Sequence, residues 1–210
     1  EEAAAIFGLQ VLDRNINTAK NNTTRFAALS RTRNRPDATR KREDENFVRA
    51  FCEKHALKLL SEKADVPAYA DENSLSTETA ARELRYDFLE RARIQSGMGF
   101  IATAHHLSDN AESILLHFLR GSGLNGLCGM KYCSGKIIHP LLEFEKKELV
   151  EYLLQNGEQF QTDETNFVPD TARNLLRLKI IPEIQNGINS SCEKVICRNA
   201  KLLNEDEKYL

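Results

Sequence analysis

Residues 101–130, IATAHHLSDNAESILLHFLRGSGLNGLCGM, constrain this chain more than any other stretch, because a short apolar run delivers two histidines and two acids to the start of an amphipathic helix. Ile101 to Ala104 predict a buried strand. From Asp109 onward Ala111, Ile114, Leu115, Phe118 and Leu119 recur at helical spacing. His105 and Asp109 are four residues apart, and Asp109 and Glu112 three apart, so on a helical turn all three project from one face. That face would stand beside the carboxyl end of a strand, the edge at which open α/β sheets bind ligands. The glycines of 120–129 predict a tight loop that needs positive φ.

Elsewhere helices alternate with short strands. A helical stripe covers 43–57 through Phe47, Ala50, Phe51 and Ala56, and an irregular polar stretch follows to Asn73, with Val66-Pro67 opening a short extended segment. Ser76 is a good N-cap for a helix from Thr77 to about Ile94, with Glu78 in its first turn. A short strand is expected within 136–142, a helix around Leu149 to Leu153, another from Leu175 to Ile181 ending before Pro182, and a polar helix over 188–210. This alternation predicts an α/β fold, a parallel sheet with helices on both faces.

No apolar run approaches the ~20 residues that span a bilayer, so a cytoplasmic protein is expected. A net charge of −2 gives no global attraction to nucleic acid. RNA binding would fall to local patches such as 31–42, Arg82/Arg85/Arg91/Arg93 or Arg173/Arg177/Lys179. The five cysteines are odd in number and scattered, which favours reduced, buried thiols over a disulfide framework. A zinc site from Cys128, Cys133, Cys192 and Cys197 is the weaker alternative, because the C-x4-C spacing is wider than the usual pattern.

The run His105-His106-Leu107-Ser108-Asp109-Asn110-Ala111-Glu112, followed by RGSGLNGLCGM over 120–130, resembles the HHxxDxxE and RGxGxxGLxGM signature of the tRNA(Ile)-lysidine synthases, a branch of the PP-loop ATP pyrophosphatases. Two further blocks match in the same order. ARELRY over 81–86 is similar to the family's ARxxRY helix, and Asp163-Glu164-Thr165-Asn166 with Arg173-Asn174 to its D-x-[ST]-N and RN elements. The resemblance covers roughly residue 43 to the C-terminus. The family's Ser-Gly-Gly-x-Asp-Ser phosphate loop has no counterpart, since Ser96-Gly97, Ser122-Gly123 and Ser134-Gly135 are single pairs without the Asp-Ser. Residues 1–30 instead resemble the end of a prephenate dehydratase domain, through Asn22-Thr23-Thr24-Arg25-Phe26, and 31–42 reads as a basic linker. The organisation expected is thus a remnant over 1–30, a linker over 31–42, and a PP-loop domain over 43–210 lacking its first strand and phosphate loop.

The resemblance implies an ATP- and Mg2+-dependent ligase that adenylates a cytidine in the CAU anticodon of tRNA(Ile) and lets the amine of free L-lysine displace AMP. By the same resemblance His105 positions or transfers a proton, Asp109 holds the metal or orients the lysine amine with Glu112 helping, and Arg85 and Arg173 neutralise phosphate or the activated base. The residues alone leave blander roles open: Asp109 as a first-turn acid, His106 as a packed neighbour, Arg82 and Arg85 as solvated charges, and 143–148 as a solvated helix face. Two other functions stay open: a non-catalytic remnant that binds RNA or nothing, and a metallohydrolase built on His105, His106, Asp109 and Glu112.

Overall fold

The computed structural model describes residues 10–13, 26–32, 38–160 and 171–206. The chain divides into two compact units, 1–104 with 134–138, and 105–133 with 139–210.

The first unit carries the sheet. Its strands are β1 (Gln10–Asp13), β2 (Phe26–Thr32), β3 (Lys58–Ala64), β4 (Phe100–Ala102), β5 (Cys133–Ser134) and β6 (Ile137–Ile138), in the order β3-β2-β1-β4-β6-β5. β2 runs parallel to β3 from Phe26↔Lys58 to Thr32↔Ala64, and β4 runs parallel to β6. β1 lies antiparallel to both β2 and β4, which makes those two parallel to each other. The sheet is therefore mixed rather than parallel throughout, and β1, reversed against both its neighbours, is a central strand. Because β1 pairs on both sides, neither β2 nor β4 presents an open edge at that position.

The boundaries expected at residues 30 and 42 do not fall between elements. Arg31 and Thr32 continue β2, and α1 (Ala38–Lys54) begins inside the stretch read as a linker. The polar region 58–73 is also more ordered than its pattern suggests. β3 is an edge strand whose Lys58, Glu62 and Lys63 give no clean alternation, as suits an edge that must not recruit other chains. The extended segment expected at Val66-Pro67 is instead α2 (Val66–Asn73). Asp65 caps it by accepting from the Ala68 N–H at 3.4 Å, and Pro67 sits in the first turn, where a missing N–H costs nothing.

α3 (Thr77–Ser96) starts as expected at Ser76, whose hydroxyl accepts from the Thr79 N–H at 3.2 Å, and stops at Gly97 with φ +66°. Its Phe88, Leu89 and Ala92 pack with Met98 and Ile101, and Leu60, Tyr86 and Ile137 close around them. A second cluster joins Val66 and Ala70 of α2 to Ala80. Arg91 bridges outward to Glu62 of β3 with two hydrogen bonds of 2.8 and 2.9 Å and to Asp87 at 3.0 Å, holding its guanidinium charged. Arg82 lies over the Tyr86 ring at 5.0 Å.

The second unit is helical: α4 (Leu107–Leu119), α5 (Leu124–Leu127), α6 (Lys146–Gln155), α7 (Ala172–Leu175), a π turn (Leu176–Ile180), α8 (Ile181–Gly187) and α9 (Cys192–Asp206). The helical path expected to end before Pro182 continues through it. Pro182 offers no N–H to the carbonyl four residues earlier, and the backbone widens into the π turn just ahead of it. Leu176, Ile181 and Cys192 form a buried cluster in this unit, backed by Leu115, Leu116 and Ile184. No described helix is long and apolar enough to cross a membrane.

Candidate active site

The site is built on the first turns of α4. His106 is the N-cap, extended at φ −114° and ψ −178°, so His105 precedes the helix. The shared face expected for His105, Asp109 and Glu112 therefore holds only for the two acids. His105 turns to His139, ring centroids 5.2 Å apart at 56°, and His139 is itself buried with Nδ1 2.8 Å from the Lys131 carbonyl. His106 is the histidine beside Asp109: its Nε2 is 3.4 Å from Asp109 Oδ2, and its backbone N–H donates to that oxygen at 3.2 Å. Asp109 thus does serve the helix start, as its first-turn position predicts.

Glu112, one turn on, is 1% exposed and held by two guanidinium groups. Arg177 donates through Nε to Oε1 at 2.6 Å and through Nη2 to Oε2 at 2.8 Å, while Arg173 Nε donates to Oε2 at 2.9 Å. The same arginines clasp Asp109. Arg177 Nη2 donates to its Oδ1 at 3.1 Å and Arg173 Nη2 to its backbone carbonyl at 3.1 Å. Arg173 and Arg177 are four residues apart across α7 and the π turn, so both reach one place on α4. The structure thus brings together Asp109, Glu112 and Arg173 of the expected set. Arg85 is an exposed residue of α3, in the first unit. Asp163-Glu164-Thr165-Asn166 lies outside the described residues.

Arg177 is the member sequence reasoning left in a generic basic patch. The spacing of four from Arg173 was the available signal. Burial opposes its charge, but the hydrogen bond to Glu112 and the charges of Glu112, Asp109 and Glu193 outweigh it and raise its pKa. Burial dominates at His106. Desolvation depresses its pKa, assisted by Lys146 and Arg177 and opposed by Asp109 and Glu112, and its Nδ1 is buried without a hydrogen-bond partner. A neutral imidazole beside a paired carboxylate is the resting state this favours.

These donors do not fit a protein-bound metal ion. Both carboxylates are already bonded to guanidinium groups, and among the described residues no three His, Cys, Asp or Glu side chains gather to hold a cation. The metallohydrolase arrangement and the four-cysteine zinc site therefore have no ligand set among the described residues. All five cysteines are free; Cys52, Cys128 and Cys192 are buried as expected, Cys197 is half-buried and Cys133 is exposed. Burial pushes the Cys197 thiol up to about 12.

Asn110, a residue not singled out from sequence, ties the glycine-rich loop to α4. Its Oδ1 accepts from the Met130 N–H at 2.8 Å. Gly129, at φ +69°, lies so close that an added Cβ would stand 2.8 Å from that oxygen and 3.0 Å from Ile114 Cδ1. At Gly126 a Cβ would stand 2.5 Å from the Ser122 Cβ and 2.8 Å from the His117 Nδ1. The loop is thus tight for two reasons, positive φ at Gly121 and Gly129, and close approach at Gly126 and Gly129.

Residues 19–184 match the model of the PP-loop domain family. The chain belongs to that family. The match begins upstream of residue 43, so the PP-loop domain takes in β2 and α1 as well. This PP-loop chain is 38% identical over 162 residues to the tRNA(Ile)-lysidine synthase of Bacteroides thetaiotaomicron, covering 77% of the chain and 38% of the relative. It is 41% identical over 157 residues to that of Thermosipho africanus, covering 75% and 36%. The enzyme of Clostridium tetani is 36% identical over 168 residues, covering 80% and 36%. The chain spans little more than a third of the length of the curated relatives it matches. Among solved structures, the U34-tRNA thiolase NcsA from Methanococcus maripaludis with its [4Fe-4S] cluster superposes with a TM-score of 0.64 at 14% identity, over 84% of this chain and 62% of that one. That likeness is one of fold.

Proposed function

We propose that this PP-loop chain carries the adenylation and amine-transfer chemistry of a tRNA(Ile)-lysidine synthase, acting on the CAU anticodon of tRNA(Ile) with ATP, Mg2+ and free L-lysine, in the cytoplasm. The observation that carries the reading is the identity of 36 to 41% to three lysidine synthases across three quarters of the chain, including the segment that builds the Asp109–Glu112 cluster. The finer fold belongs to the same proposal: helices on both faces of the sheet.

Within this reading Glu112 is a positioning residue. Buried and bonded to both arginines, it fixes where Arg173 and Arg177 stand. Asp109, its side chain 18% exposed, is the carboxylate open enough to meet the substrate amine. As lysine ammonium approaches, it would compete with Arg177 for Asp109, and a freed guanidinium could turn to the phosphate of the activated cytidine. His105, at the mouth of α4, would take the proton that turns the lysine ammonium into a free amine; that amine forms the C–N bond as the C–O bond to AMP breaks, and the second proton it sheds passes to the departing phosphate or to water. Arg85 would neutralise phosphate. Magnesium is assigned to the phosphates of ATP, and no step depends on a protein-bound ion.

The test is incorporation of labelled lysine into unmodified tRNA(Ile) by the purified chain with ATP and magnesium. ATP-dependent label is expected, and Asp109→Ala should lower the rate by roughly a hundredfold or more. A folded chain that transfers no label sinks the reading.

A further inference from the structure

The second unit holds a cleft of about 910 Å³ that the catalytic cluster leaves unused. Leu107, Met130 and Leu142 give it apolar lining beside cationic side chains. Four cations line it, Lys131, Lys194, Arg198 and Lys201, against the acids Glu143 and Glu205, so the cleft is locally positive in a chain of net charge −2. Three of the cations belong to α9 and recur at intervals of four and three residues, which places them along one helix face at about 6 and 4.5 Å rise. Lys194 pairs with Glu145, and Lys201 with Glu143 at 3.3 Å, all solvent-facing ion pairs of the kind worth little and readily exchanged. Arg198 is exposed and has no carboxylate partner among the described residues. Tyr132, 48% exposed, also lines the cleft.

Apolar lining, an exposed aromatic ring and a row of cations are what a single-stranded nucleic acid needs: a face for a base to stack on and spaced charges for consecutive phosphates. A row suits a polymer better than one free anion, which a single cluster would satisfy. We propose that this cleft seats a single-stranded stretch of the RNA substrate, one base stacked on Tyr132 and its backbone running along Lys194, Arg198 and Lys201. The inference rests on the ligase reading for its RNA, and adds where the strand lies.

A labelled anticodon stem-loop RNA, titrated by anisotropy against the 210-residue chain at several salt concentrations, tests it. Tyr132→Ala should weaken binding by at least roughly fivefold, while Tyr132→Phe, which keeps the ring, should bind like the original. Arg198→Ala combined with Lys201→Ala should flatten the log–log salt dependence by about 1.4, near 0.7 per lost cation. An unchanged melting temperature shows that the variants fold. If the unsubstituted chain binds no RNA, the ligase reading falls and this site with it. If it binds RNA and every variant binds equally well, the ligase reading stands and the cleft is refuted. If the variants instead lose affinity for free ATP in a parallel titration, the cleft is a mononucleotide site and the RNA assignment is wrong.

Discussion

Glu112 is the residue on which most of the site hangs. A carboxylate 1% exposed is tolerable only because guanidinium groups satisfy both of its oxygens, and removing one partner leaves charge stranded in a poorly solvated place. The two arginines are unequal. Arg177 grips Glu112 with two hydrogen bonds and is 29% exposed, whereas Arg173 gives it one and is 40% exposed. Arg177→Met should therefore destabilise the fold by about 3 kcal/mol, and Arg173→Met by about 1 kcal/mol, read from urea unfolding midpoints at constant slope. Equal losses would contradict the ranking. His106 adds a pH dependence. Its folded pKa is depressed below 6.5 by burial, so the unfolded chain takes up the proton first as the solution is acidified. Its contribution to stability is complete above pH 6.5 and is lost as pH falls through the lowered value. His106→Asn keeps a capping side chain and removes the titration, so its stability should decline less between pH 7 and 5 than that of the unsubstituted chain.

At the scale of elements, the glycine loop after α4 separates two kinds of constraint. Gly97 and Gly129 both have positive φ, but an added Cβ at Gly97 meets nothing within 4 Å, while at Gly129 it meets Asn110 and Ile114 at 2.8 and 3.0 Å. Gly97→Ala should cost about 1 kcal/mol, the strain of a left-handed alanine. Gly129→Ala should cost more, about 2–3 kcal/mol, because the Asn110 bond to Met130 must also shift. Thermal melts of both variants check the difference. The need for positive φ was legible from composition; the close approach was not, since it depends on a side chain nineteen positions away in sequence. The same divide runs through the site. Local signals found the Ser76 cap, the strand before His105, and Asp109 and Glu112 on one face. They misplaced His105, because the helix starts two residues later than the motif suggests, and they underrated Arg177, whose role depends on a contact sixty-five positions distant. β3 escaped because a charged edge strand does not alternate cleanly.

Across the whole molecule, β1 decides how the first unit coheres. Four residues, QVLD, carry too little pattern to be read as a strand, yet they pair on both sides, Val11 opposite Ala27 on one flank and Ala102 on the other. A short central strand is stabilised by its neighbours more than by its own propensity, so disrupting its backbone should open the sheet rather than merely fray it. Val11→Pro removes an N–H and fixes φ in a position with partners on both sides. Amides of β2 and β4 should then exchange much faster with deuterated solvent. The helices α4 and α9 belong to the other unit, with its own cluster of Leu176, Ile181 and Cys192, and should keep their protection. Unchanged exchange in β2 and β4 would mean that residues 10–13 do not hold the sheet together. Loss of protection in α4 and α9 as well would mean that the two units unfold as one, and that the cluster around Glu112 depends on the strand order of the sheet.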